Sequence, residues 1–196
     1  VSADQREAWR SELPELPAAK RHRYANDLGL SQYDARVLTD ERSMADYYEA
    51  VVAAEGDAKL SANWVTGDIA AYVNSNRLSF AELPFRPDQL AEMVKLIDGG
   101  KISGKIAKEI LPELLEKGGS PKAIVDDRGL GMISDPAAIA AIVDELLAAH
   151  PEEVEAFRGG KNKLQGFFVG QLMKKTGGKA DPKLANQILS QKLKGG

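Results

Sequence analysis

Three dipeptides, Ser120-Pro121, Asp135-Pro136 and Asp181-Pro182, each set a side-chain acceptor in front of a proline. That pairing starts an α-helix: the acceptor satisfies an orphan amide of the first turn, and proline occupies the first helical position, where no N–H is needed. Ser31-Gln-Tyr-Asp34 adds a start spaced as a capping box. Stops recur as often. Gly29, Gly56, Gly99-Gly100, Gly118-Gly119, Gly159-Gly160 and Gly177-Gly178 each follow a stretch of helical periodicity, where the left-handed backbone of a C-cap costs glycine least. Almost no stretch alternates apolar and polar residues as a half-buried strand would. The chain is therefore expected to be all-α, an irregular helical bundle followed by a small three-to-four-helix tail domain. The spacing predicts helices over 3–12, 18–28, 32–38, 40–55, 59–75, 87–98, 104–117, 121–127, 136–149, 151–158, 161–176 and 182–194.

Between Asp126 and Asp135 lie two glycines and little periodicity, which suits a hinge. The expected division is 1–128, a helical domain, and 129–196, the tail domain. At 196 residues and 43% hydrophobic content the chain can fill an ordinary core. No apolar run approaches the roughly 20 residues of a membrane helix, so a soluble protein is expected. Zero cysteines exclude disulfides and thiolate metal sites. Val1 stands where a start methionine would, and helical periodicity begins at once. This is the expected look of a segment from a longer polypeptide, whose catalytic parts would then lie upstream.

Charge is unevenly placed. Residues 161–196 hold eight lysines against one acid, Asp181, a net +7 on a chain whose total is -3. A basic block on an acidic carrier is the footprint expected where a polyanion docks. Within that block, successive steps of 100° put Leu164, Phe167, Phe168 and Leu172 on one face, the stripe a helix buries. Lys163, Gly166, Gly170 and Lys174 fall on a different arc of roughly 80°. Its centre has no side-chain bulk and its rim is positive. Two readings compete: the glycines admit another helix backbone, or they admit a phosphodiester backbone while the lysines neutralise it. The lysine excess favours the second. A basic helix lying on a membrane fits less well, because both phenylalanines belong to the stripe the core needs.

Other chemistry-bearing patterns have plain explanations. Gly99-Gly-Lys-Ile-Ser-Gly-Lys105-Ile106 nearly matches a phosphate-cradling loop. It lacks the final Ser or Thr that would ligate magnesium, and a helical pattern precedes it where a strand should. The simpler expectation is a glycine C-cap followed by Ser103 as the next N-cap, with Lys101, Lys105 and Lys108 exposed; a milder functional reading keeps those lysines as phosphate contacts. His22 and His150 lie in opposite halves with no partner nearby in sequence, so no metal ligand set or triad is expected. Lys20, Arg21, His22, Arg23 and Arg42 form a smaller basic cluster, expected to be a solvated helix face.

The run Lys161–Thr176, with Gly178-Lys179-Ala180, Pro182 and Asn186, resembles the C-terminal tail signature of the B subunit of bacterial and organellar aspartyl/glutamyl-tRNA amidotransferases, a tail shared with small stand-alone bacterial proteins (YqeY-like). Leu13-Pro-Glu-Leu-Pro17, Arg21-x-Arg-Tyr24, Gly29-Leu-Ser-x-Tyr-Asp-Ala35, Ala62-Asn-Trp64, Leu96–Lys108 and Ile133-Ser-Asp135 look like that subunit's helical region, in the same order. The resemblance implies that the whole subunit, with an amidase subunit and a small clamp subunit, converts Glu-tRNA(Gln) to Gln-tRNA(Gln) and Asp-tRNA(Asn) to Asn-tRNA(Asn). It implies ATP and magnesium in a catalytic half absent here, ammonia from glutamine, and a cytoplasmic, mitochondrial or plastid location. For this segment it implies no catalytic residue, cofactor or metal of its own. It implies tRNA contact at the matching tail positions Lys163, Gly166, Gly170, Gln171, Lys174, Lys179 and Asn186, of which Gln171 and Asn186 are equally explicable as structural amides. The alternative is a helical protein-protein interaction module, its Gly166/Gly170 face docking a partner helix. A self-contained enzyme is the weakest of the three expectations, because no nucleophile or ligand cluster is visible.

Overall fold

The computed structural model describes residues 15–195; the helix expected over 3–12 and Leu13-Pro14 of the resemblance lie outside them. The described chain is helical throughout: α1 Pro17–Asn26, α2 Gln32–Asp40, α3 Arg42–Ala53, α4 Ala58–Trp64, α5 Ala70–Asn76, α6 Pro87–Asp98, α7 Gly104–Lys117, α8 Pro121–Arg128, α9 Pro136–Ala149, α10 Pro151–Arg158, α11 Leu164–Lys175 and α12 Pro182–Leu193. Among the described residues, extended backbone pairs only as an isolated bridge between Ile133 and Ala180.

The starts form as their chemistry dictates. Ser31 accepts from the Asp34 amide at 3.0 Å and donates its own hydroxyl to the Asp34 carboxylate. Ser120, Asp135 and Asp181 cap α8, α9 and α12. Asp57 at the head of α4, and Ser79 with Glu82 around the 3-10 turn Phe80–Glu82, are caps that the sequence pattern did not single out. Proline after the cap was the signal that made the other three legible, and these two lack it.

Two differences from expectation have local causes. The helix expected over 59–75 is broken by a π-turn at Val65–Ile69, where Gly67 leaves helical backbone (φ -95°, ψ -107°). At the end of α3 the left-handed position is taken by Glu55 (φ 63°), not by Gly56. Gly56 is needed for a different reason: a β-carbon there would sit 2.9 Å from both the Ser61 hydroxyl and a Val51 methyl.

Of the described residues, 15–94 with Leu115–Gly118 form one compact unit, and Lys95–Leu114 with 119–195 form another. The first unit is built on aromatic anchors. Tyr24 and Tyr48 meet edge to face at 5.2 Å, while the Tyr47 hydroxyl donates to the Phe85 carbonyl at 2.8 Å and that of Tyr48 to the Ala58 carbonyl at 3.1 Å. Burial pushes all three phenols well above their ordinary range. Of the basic cluster, Lys20 is tied to Glu49 at 2.9 Å and Arg23 to both Glu15 and Glu49, while Arg21, His22 and Arg42 are exposed as expected of a solvated helix face. Burial alone would raise the Glu49 carboxyl, but the hydrogen bonds from Lys20 and Arg23 outweigh it and hold the group below its ordinary 4.5. A carboxylate with a depressed folded-state pKa contributes stability that is present above the unfolded value and lost as pH falls through the folded one. Glu49→Gln is therefore expected to flatten the acid limb of unfolding below the ordinary value of 4.5, followed by fluorescence of the buried Trp64.

In the second unit α9 to α12 share a core of Ile139, Val143, Leu146, Phe157, Phe168, Leu172, Ile188, Leu189 and Leu193. The helical stripe expected for α11 is recovered there: Phe168 and Leu172 are fully buried, with Leu164 and Phe167 packed against the cluster.

Candidate nucleic-acid interface

Helix α11 begins three residues later than its periodicity suggested. The amides of Leu164, Gln165 and Gly166 reach back only three residues, to Lys161, Asn162 and Lys163, at 3.0, 3.2 and 3.2 Å. Lys163 is the N-cap, yet its backbone is close to helical (φ -62°, ψ -21°), so it stays in line with the arc drawn through Gly166, Gly170 and Lys174. All four are exposed. By the helical rise the arc runs about 16 Å along the surface.

The two glycines are the unusual part. Neither has a positive φ, and a β-carbon at either would meet nothing within 4 Å. Glycine inside a helix costs about 1 kcal/mol relative to alanine, and no turn or packing contact among the described residues requires it. No second helix among those residues fills the bare strip at these two positions.

The lysines of the tail divide into two sets. Lys175 is paired with Glu145 and Lys192 with Asp144, at 2.6 Å for the latter, both acids lying on α9. Lys161, Lys163, Lys174, Lys183 and Lys194 form no ion pair among the described residues. The block's free charge is thus smaller than its count, a distinction that needs the packing of α9 and that spacing alone does not carry. Lys163 and Lys174, at the two ends of the glycine strip, belong to the free set.

The remaining candidate positions differ in kind. Gln171 is half-buried; on the helical wheel it lies between Phe167 and the buried face. Asn186 is exposed, and its amide donates to the Pro182 carbonyl one turn back at 2.9 Å. Lys179 lies in the loop between α11 and α12, where its ammonium donates to the Gly129 carbonyl at 2.8 Å. Its own carbonyl accepts from the Ile133 amide at 2.7 Å, and the Asp181 amide donates to the Ile133 carbonyl at 3.0 Å. Lys179 therefore has a structural post that Lys163 and Lys174 do not. The structure brings Lys163, Gly166, Gly170 and Lys174 onto one strip, and gives Asn186 and Lys179 local bonds of their own.

The weaker motifs resolve as plain structure. In the stretch from Gly99 to Ile106, Gly100 has φ 64° and Ser103 accepts from the Ile106 amide at 3.2 Å, a C-cap followed by an N-cap. His150 lies edge-on to Phe167 at 5.3 Å, and His22 contacts Asn26. Among the described residues no three His, Cys, Asp or Glu side chains cluster as a metal site would require. No helix among them is long and apolar enough to cross a membrane.

Known proteins share this sequence over its whole length. The family profile described as the GatB domain matches residues 46–193. The B subunit of the aspartyl/glutamyl-tRNA(Asn/Gln) amidotransferase of Parasynechococcus marenigrum (strain WH8102) is 91% identical over 195 residues, a match that covers 100% of this chain and 40% of the relative. The proteins of the same name from Prochlorococcus marinus (strain MIT 9303) and Synechococcus elongatus are 82% and 75% identical, with the same coverage. The chain thus spans about 40% of the length of the curated relatives it matches. With three quarters of its length matched by the profile and its full length aligned to these relatives, the chain belongs to the GatB domain family.

Proposed function

We propose that this chain is the tRNA-binding part of the B subunit of an aspartyl/glutamyl-tRNA(Asn/Gln) amidotransferase, and that the strip of α11 from Lys163 to Lys174 lies against the RNA backbone. The observation that carries this is the pair of glycines on α11, one in its first turn and one in its interior, whose absent side chains serve no contact among the described residues, flanked by lysines with no acidic partner among the described residues. Such a strip lets a phosphate chain approach the helix backbone closely while two ammonium groups neutralise it. Recognition of a folded tRNA corner through phosphates and 2′-hydroxyls needs shape and charge, not a base-edge code.

In this reading the chain has no chemistry of its own. The rest of the subunit would supply ATP- and magnesium-dependent activation of the misacylated carboxylate, with glutamine as ammonia source. The amidase and clamp subunits would meet the full-length protein, and the assembly would work in the cytosol, converting Glu-tRNA(Gln), Asp-tRNA(Asn) or both.

Titration of the chain with a tRNA(Gln) transcript at several salt concentrations, beside a form ending at Asp135, tests the assignment. Loss of salt-sensitive binding in the shortened form is expected; equal binding by both would move the RNA site out of the tail. The α9 acids give a further expected result. Asp144→Asn with Glu145→Gln frees Lys192 and Lys175, and should tighten binding and steepen the dependence of log K on log salt by up to about 2. An unchanged slope would exclude those two lysines from the RNA's vicinity.

The bare strip would also accept a partner helix, and this is the second reading. It predicts that Gly170→Leu abolishes capture of a protein partner while tRNA affinity stays the same.

A further inference from the structure

A second group of lysines is assembled by the fold from two stretches of chain within the second unit, joined through a third. The Met132 amide donates to the Lys101 carbonyl at 2.7 Å, and the next residue, Ile133, donates to the Lys179 carbonyl at 2.7 Å. Lys105 closes the group: a side chain at Gly178 would start 3.0 Å from its Cδ and 3.1 Å from its Nζ, so the lysine lies across the glycine that precedes Lys179. Lys179 is thus gathered beside Lys101 and Lys105, more than 70 residues earlier in the chain, by two backbone hydrogen bonds through Met132 and Ile133.

The surroundings of this group are open backbone. A β-carbon at Gly100, Gly104, Gly129 or Gly177 would meet nothing within 4 Å, and Lys101 and Lys105 are exposed with no ion pair among the described residues. Asp135 and Asp181, which flank the linking stretches, are occupied in capping α9 and α12, and the nearby Asp98 and Glu109 form no ion pair with Lys101 or Lys105. A protein partner would want an apolar anchor at the centre of its footprint, whereas bare glycine backbone carrying ammonium groups suits a chain of phosphates.

We propose that Lys101 and Lys105, gathered beside Lys179, form a second contact for the phosphate backbone of RNA, made of residues other than those of the α11 strip. The proposal rests on the tRNA-binding function above and extends it to residues outside the basic tail block. Lys179 takes part mainly by holding the three stretches together through Gly129 and Ile133, while Lys101 and Lys105 supply the free charge.

The test is a salt titration of the 196-residue chain with a tRNA(Gln) transcript, comparing Lys101→Ala/Lys105→Ala, Lys101→Arg/Lys105→Arg and the Lys163→Ala/Lys174→Ala pair. The first variant should lower the slope of log K against log salt by about 1.5, its deficit relative to wild type growing roughly tenfold as salt falls from about 200 to about 50 mM. The arginine pair should restore both. If the Lys163/Lys174 variant loses slope while Lys101→Ala/Lys105→Ala does not, the second contact is overturned and the tail assignment stands. Equal losses in the alanine and arginine pairs would mark a structural role and also overturn it. A wild-type chain with no salt-sensitive tRNA binding would sink both proposals together.

Discussion

Gly166→Ala with Gly170→Ala is expected to raise the melting temperature of this chain while weakening its hold on tRNA. The substitution at Gly170 removes a helix-interior glycine, worth about 0.5–1 kcal/mol in backbone entropy and helix propensity, and that at Gly166, in the first turn, adds a smaller gain. Neither introduces a clash, since the new methyl groups enter space with no atom within 4 Å. The gain should appear as a rise of about 4–8 °C in the transition of the second unit. Binding should move the other way, because two methyl groups now hold the RNA backbone off the helix between Lys163 and Lys174. Gly166→Glu with Gly170→Glu adds like-charge repulsion and should cost roughly a hundredfold in affinity, again with the fold intact. Opposite signs for stability and binding are what a functional glycine produces. A drop in melting temperature with the alanine pair would mean that the glycines serve the fold, and would remove the main support for the strip as an interface.

Gly118→Ala should have the largest effect on stability of any glycine-to-alanine change among the described residues. Gly118 follows the last turn of α7 with φ +68°, and an ideal β-carbon there would sit 2.5 Å from the Pro84 carbonyl oxygen and 3.1 Å from its carbon. Left-handed backbone alone costs a non-glycine residue about 1–2 kcal/mol. The carbonyl is held in backbone and cannot swing aside as a flexible side chain would, so relief requires the chain around Pro84 to move. A loss of about 3 kcal/mol or more is expected in the first unit, against the small total that holds an ordinary domain folded. Gly129→Ala is the control. It also has a positive φ, 58°, but open space where the methyl would go, and it should lose only the conformational part. Similar losses at the two positions, read from denaturant midpoints, would show that the Pro84 approach relaxes freely.

Much of the fold was readable because its helix boundaries are chemically marked. Proline behind Ser120, Asp135 and Asp181 placed α8, α9 and α12 to within a residue or so of where they lie. The break at Gly67 was not legible, since the periodicity continues through it and a lone glycine is common inside helical patterns. Glu55 and Arg77 in left-handed backbone were equally hidden, for there the surrounding structure imposes a conformation that composition does not announce. The α11 strip was legible as an arc, because helical geometry alone puts Lys163, Gly166, Gly170 and Lys174 together. Whether another part of the chain filled that arc was not, nor was the neutralisation of Lys175 and Lys192 by α9. Those depend on which faces of distant helices meet, as does the gathering of Lys101, Lys105 and Lys179.

Charge at the two ends of the glycine strip is what the tRNA-binding role of α11 depends on most. The decisive measurement is tRNA(Gln) affinity of the chain and of Lys163→Ala/Lys174→Ala as a function of salt. Removing one phosphate-neutralising lysine should reduce the slope of log K against log salt by about 0.7–0.9, so the double variant is predicted to fall short of wild type by about 1.5. Parallel lines, with the variant binding as steeply as wild type, would take α11 out of the interface and contradict that role.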